Sequence, residues 1–227
     1  METAYGRRSR TVAPKFRAVA PPAAALIGVN VVLMYLVAST PLSAINDLVF
    51  SVPILGLIIY GAALTGGSML AERGLEGGSM TMAALGTGLL QGAYALFGGG
   101  ILSMIAADLR AVALAVTLVI TLGMTVGLAG YVYLRNREFD HWGRWSLGAF
   151  IIGAVLVAVG SVFTVVLIGG FAFIFLGFTF RLGYEIWQVK ATYSPERSLN
   201  HALGIYVAFT GVFVHVLQLV ARQFFRE

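Results

Sequence analysis

Few reactive side chains in this chain sit in an apolar setting, and the first of them are Arg181 and Glu185. They stand four residues apart in FIFLGFTFRLGYEIWQVK, so on a helix they share a face and pair as neighbours. The run GGFAFIFLGFTF before Arg181 carries no charge, which places the carboxylate where water is scarce. Burial disfavours ionisation of Glu185 and Arg181 favours it, and these opposed effects suit a gate or a proton-responsive carboxylate. An interfacial ion pair that merely ends a helix is the plainer reading of the same two residues.

Gln91 lies in the middle of another apolar run, where a large amide needs hydrogen-bond partners on a neighbouring helix, so packing glue is its ordinary role. His201 and His215 project from the same side of one helix but about 21 Å apart along its axis, too far to share a metal. His141, in the loop sequence EFDHWGRW, is the only other histidine, so a haem held by two histidines on facing helices is not expected. The only lysines are Lys15 and Lys190, neither in the middle of an apolar run, so a retinal Schiff base is excluded. No GxSxG or HExxH pattern occurs and no cysteine is present, so neither an enzyme nor a cofactor is expected.

The elements that must carry these residues follow from composition. The chain has 227 residues, 59% of them apolar and only 11% charged, with mean hydropathy +0.88. That charge is too sparse to coat a soluble globule, so the solvent for most of the chain is a lipid bilayer. An all-α integral membrane protein is expected.

Charges mark where the chain crosses. A basic tail, residues 1–19, carries Arg7, Arg8, Arg10, Lys15 and Arg17, and a first span begins near Ala20 and runs to about Val37. That span is too long for a signal-peptide core and no small-x-small cleavage site follows it, so it is read as retained. Spans two, three and four lie between Asp47 and Glu72, Glu76 and Asp108, and Arg110 and Arg135. From Ser146 to Phe180 there are 35 residues without a charge, enough for spans five and six with a tight turn near Gly160 and Ser161. Span seven runs from about Ala202 to Ala221, within a membrane domain of residues 20–221, and a short tail of residues 222–227 follows.

Seven spans with the N-terminus in the cytoplasm put twelve basic residues inside and three (Arg110, Arg222 and Arg226) outside, as the positive-inside rule requires. The net charge of +5 is thus a matter of topology and of anionic headgroups, and nucleic acid is not an expected partner. Among the 28 glycines, Gly88 with Gly92, Gly123 with Gly127, and Gly204 with Gly211 have the spacing of close helix crossings. The run Gly98-Gly99-Gly100 predicts a break or pliable end in span three. Low lysine with abundant alanine, glycine and arginine is compatible with a prokaryotic plasma-membrane protein.

The run ITLGMTVGLAGYVYLRNREFDHWGRWSLGAFIIGAVLV resembles the central signature of the Bax inhibitor-1 family: a small-residue span, a basic-acidic turn, an aromatic, a glycine and a new span. FIFLGFTFRLGYEIWQVK is similar to the sixth span of that family, HALGIYVAFTGVFVHVLQLV to its last, and TGLLQGAYALFGGG to its third. The resemblance covers most of the chain. It implies a seven-helix bundle whose last helix is surrounded by the other six, and a pH-sensitive calcium leak in which aspartates on the sixth and seventh spans share a proton or ion.

Carried over by position, the sixth-span aspartate falls on Glu185, the seventh-span aspartate on Ala208, which has no charge, and the third-span glutamate on Gln91. The resemblance therefore implies Glu185 as the gating carboxylate, Arg181 as its counter-charge and Gln91 as a neutral coordinating or helix-linking group. Without a second acid the coupled titration of the family cannot run in its usual form. His215, seven residues beyond Ala208 and on nearly the same face, is the remaining titrating candidate on the last helix, although a satisfied core histidine is the commoner case. Calcium takes about six to eight oxygens. Glu185, Gln91 and backbone carbonyls offer only weak, transient metal contact, sufficient for a leak and not for tight binding. The leading expectation is a weak cation leak; the rivals are a non-conducting protein that binds and regulates other membrane proteins, and a small-solute permease.

Overall fold

The computed structural model describes residues 12–224, so Arg7, Arg8, Arg10 and Arg226 lie outside the described residues. Eight α-helices follow in order: α1 (Val12–Ala38), α2 (Ser43–Val49), α3 (Pro53–Glu76), α4 (Met80–Ser103), α5 (Arg110–Leu134), α6 (His141–Gly160), α7 (Thr164–Thr192) and α8 (Ser198–Phe224). All but the short α2 are long and apolar enough to cross a membrane, which makes seven among the described residues. The uncharged stretch does split in two: α6 ends at Gly160 and α7 begins at Thr164, so only residues 161–163 make the turn.

Local chemistry sets the ends. Pro53 opens α3, where its missing N–H is not needed. Gly78 adopts φ 71° in the turn after α3, a conformation that favours glycine, and the Ser79 hydroxyl then accepts from the Met82 N–H at 3.4 Å to cap α4. The first helix begins at Val12, inside the segment whose charges read as a tail. Lys15 Nζ donates to the Lys190 carbonyl at 3.1 Å and Phe16 packs on Tyr133, so tertiary contacts hold this basic turn helical. At the opposite end Arg110 donates to the carbonyls of Ala38, Ser103 and Ile105, tying α1, α4 and the start of α5 together.

The last helix is the core. In α8, 78% of the spanning window is buried, against 22–28% in α1, α3, α5, α6 and α7, and α8 packs on α1, α3, α4, α5 and α7. The ring around it thus has five helices rather than six, because α6 pairs along its length with α7 and stands outside. The perimeter presents Val119, Val126, Ile151, Val155 and other apolar side chains outward, as a bilayer solvent demands.

Two expectations about glycine need correction. A Cβ at Gly88, Gly92, Gly123 or Gly127 would meet nothing within 4 Å, so these pairs make no close crossing within the bundle: Gly123 and Gly127 face outward, and Gly88 and Gly92 line an open cleft between α2, α3 and α4. The close crossings use other glycines: Gly74 and Gly86 between α3 and α4, and Gly153, Gly160 and Gly170 between α6 and α7. Of the expected pairs only Gly204 and Gly211 are packed, against Glu185 and Phe178. The run Gly98-Gly99-Gly100 causes no break, since α4 continues through it to Ser103. These glycines admit Met34, Val37 and Asn46, and the packing offsets their low helix propensity.

Candidate functional site

The α6–α7 hairpin aims the ion pair. Gly153 and Gly170 let the two helices meet backbone to backbone, and Ser146 Oγ donates to the Gly177 carbonyl at 2.9 Å. Leu182, Ile186 and Val189 then bury one face of α7. On that helix Arg181 and Glu185 form the expected pair, Arg181 Nη2 to Glu185 Oε1 at 2.7 Å, with the Glu185 side chain 7% exposed and that of Arg181 42%.

Glu185 points at the central helix. A Cβ built on Gly204 would overlap its carboxylate, so only a glycine there lets the acid touch the α8 backbone. Two turns deeper, Phe178 fills the notch left by Gly211. The N-terminal half of α8 is therefore shaped to receive two side chains of α7.

Beside this contact lies a cavity of about 580 Å³ walled by α3, α6, α7 and α8. Arg181 and Glu72 line it, with Gly204 and Val207 from the central helix. Glu72 is the residue that sequence reasoning missed. In sequence it reads as a boundary charge at the end of a span, whereas the fold sets it in the wall of the same cavity as Arg181. Two carboxylates thus stand about this cavity: Glu72 in its wall, from α3, and Glu185 paired to the lining Arg181, from α7. The charge pattern could not reveal this, because Glu72 and Arg181 come to line one cavity only through tertiary packing.

The other expected residues lie elsewhere. Gln91 is buried between α1 and α4, where its Oε1 accepts from Asn30 Nδ2 at 2.7 Å and its Nε2 donates to the Leu26 carbonyl at 2.9 Å. It is thus placed as a link between α1 and α4, away from the cavity wall. Ala208 is fully buried in α8, one turn beyond Gly204. His215 is also buried, its Nδ1 2.7 Å from the Gly211 carbonyl and its ring near Phe175 and Phe178. That leaves it about 16 Å along the helix from Gly204, and not in contact with the ion pair. Among the described residues no group of three or more histidines and acids has the geometry of a metal site.

A seven-span all-helical bundle around a buried terminal helix, with a charged cavity against that helix, defines a polytopic membrane protein built around an internal polar site. The chain belongs to the Bax inhibitor-1 family: the family model described as inhibitor of apoptosis-promoting Bax1 matches residues 21–225. No curated protein and no solved structure matches the chain.

Proposed function

We propose that this protein is a weak, pH-responsive cation leak, calcium being the family's expected ion, in the plasma membrane of a prokaryotic cell, with its N-terminus in the cytoplasm. The observation that carries the reading is the Arg181–Glu185 pair seated against the central helix, beside a cavity that Arg181 and Glu72 both line. A polar cluster inside a membrane bundle marks an ion pathway by default. In the closed arrangement Arg181 neutralises Glu185 and the Glu185 carboxylate rests against Gly204. The charged groups that act on Glu185 are Arg181 from its own helix and Glu72 from α3, while α8 presents only Gly204.

The family's second acid on span seven is replaced by Ala208. Glu72 supplies a second carboxylate from span two instead, in the wall of the cavity that Arg181 also lines. Protonating Glu185 weakens its pairing with Arg181, which changes what holds the carboxylate against α8. Cation contact is weak because few carboxylate oxygens converge, and a leak needs no more.

The test is calcium entry into dye-loaded proteoliposomes as a function of pH, for the wild type, Glu185→Gln and Glu72→Gln. Flux that responds to pH in the wild type and loses that response in either variant supports the reading. Absence of flux above empty liposomes at every pH, from folded and inserted protein, overturns it in favour of a non-conducting protein that regulates other membrane proteins.

A further inference from the structure

The cavity is larger and more apolar than an ion pathway requires. At about 580 Å³ it falls in the range of organic-ligand sites, and Leu57, Ile58, Leu147, Phe150 and Phe178 supply much of its wall. It is long as well: Tyr60 and Glu72, both in its lining, are separated by about 18 Å along α3. Ile58, Met69 and Leu147 are 59, 46 and 62% exposed and form a rim on the membrane-facing side, where α3 and α6 touch only sparsely. The opening therefore faces lipid rather than water.

One end of this apolar chamber is charged. Glu72, Arg181 and Glu185 sum to a formal charge of −1 with both acids ionised, and Arg181 is already engaged by Glu185, which leaves Glu72 without a hydrogen-bonded partner of its own among the described residues. At the other end the Tyr60 hydroxyl is buried and has no hydrogen-bond partner among the described residues. An apolar cavity with a surplus negative charge at one end complements a molecule with a hydrophobic body and a positive group.

We propose that this cavity binds an amphipathic organic cation, which enters from the bilayer between α3 and α6, lies along Leu57, Phe150 and Phe178, and places its positive group beside Glu72. The site shares its carboxylates with the leak but does not require conduction.

The test uses tritiated tetraphenylphosphonium with the full chain in nanodiscs of zwitterionic lipid, empty nanodiscs being the baseline. No ion gradient is present, so a chain that conducts nothing still tests the site. Saturable binding is expected, with triphenylphosphine oxide, which has the aromatic body and no net charge, competing at least tenfold less well. Glu72→Gln should weaken binding about tenfold. Gly61→Leu and Ala154→Leu each fill the cavity without changing a charge and should abolish it; a Cβ at Gly61 meets nothing within 4 Å, and Ala154 is the alternative if that variant misfolds. A missing saturable component, equal competition by the neutral analogue, or unchanged binding in a folded cavity-filling variant would each overturn the proposal.

Discussion

Gly204 of the central helix lies directly against the Glu185 carboxylate, with no side chain between the acid and the α8 backbone. The carboxylate thereby bridges two helices, held by Arg181 on its own turn and seated on a notch in the next. Any change in its charge or position is felt at the most buried element of the fold.

Replacing that glycine tests the seat. The flexible end of Glu185 can move aside, and alanine improves helix propensity by about 1 kcal/mol, so Gly204→Ala should fold with an unchanged or slightly raised melting temperature. The displaced carboxylate should nevertheless alter the pH dependence of flux as much as Glu185→Gln does. A flux profile identical to the wild type, from stable protein, would show that the contact transmits nothing.

Arg181 holds a carboxylate that is nearly out of water. Removing a partner from a buried pair costs about 3–5 kcal/mol, and the 42% exposure of the Arg181 side chain reduces this, so Arg181→Gln should lose about 1–3 kcal/mol. Adding Glu185→Gln removes the stranded charge and should restore much of the loss. Thermal unfolding of both single variants and the double variant measures the coupling, and additive losses would mean that the pair does not interact.

Gln91 is predicted to matter for stability and not for permeation. Gln91→Leu leaves the Asn30 amide buried without its side-chain acceptor, a loss of about 1–2 kcal/mol in a membrane bundle. Melting in detergent should fall while the pH profile of flux keeps its shape. A shifted profile would place Gln91 in the ion path.

Neighbouring glycines of α4 should respond in opposite senses. A Cβ on Gly86 would overlap the backbone of Ala71 in α3, so Gly86→Ala forces the helices apart and should cost about 1–3 kcal/mol or more. Gly88, two residues on, meets nothing, so Gly88→Ala should be neutral or stabilise by up to about 1 kcal/mol. Equal melting temperatures for the two variants would contradict the α3–α4 crossing.

The seven spans, the turn between α6 and α7 and the Arg181–Glu185 pair were all legible in the sequence, because each depends on local properties: uninterrupted apolar length, a pause rich in turn residues, and helical spacing. The family likeness was readable for the same reason, being a pattern of small residues, charges and aromatics along the chain. What tertiary structure alone decided was which surfaces meet. A glycine pair looks the same in sequence whether it faces lipid, as Gly123 and Gly127 do, or a partner, as Gly204 does. Glu72 likewise looks like an ordinary span-end charge until the fold places it in the wall of the cavity that Arg181 also lines. Both span helices and their neighbours are apolar nearly all round, so in a bilayer hydropathy does not say which face turns inward. The central position of α8, and with it the site at Glu72, Arg181 and Glu185, is fixed by the fit of side chains into glycine notches, a property of pairs of helices and not of any one segment.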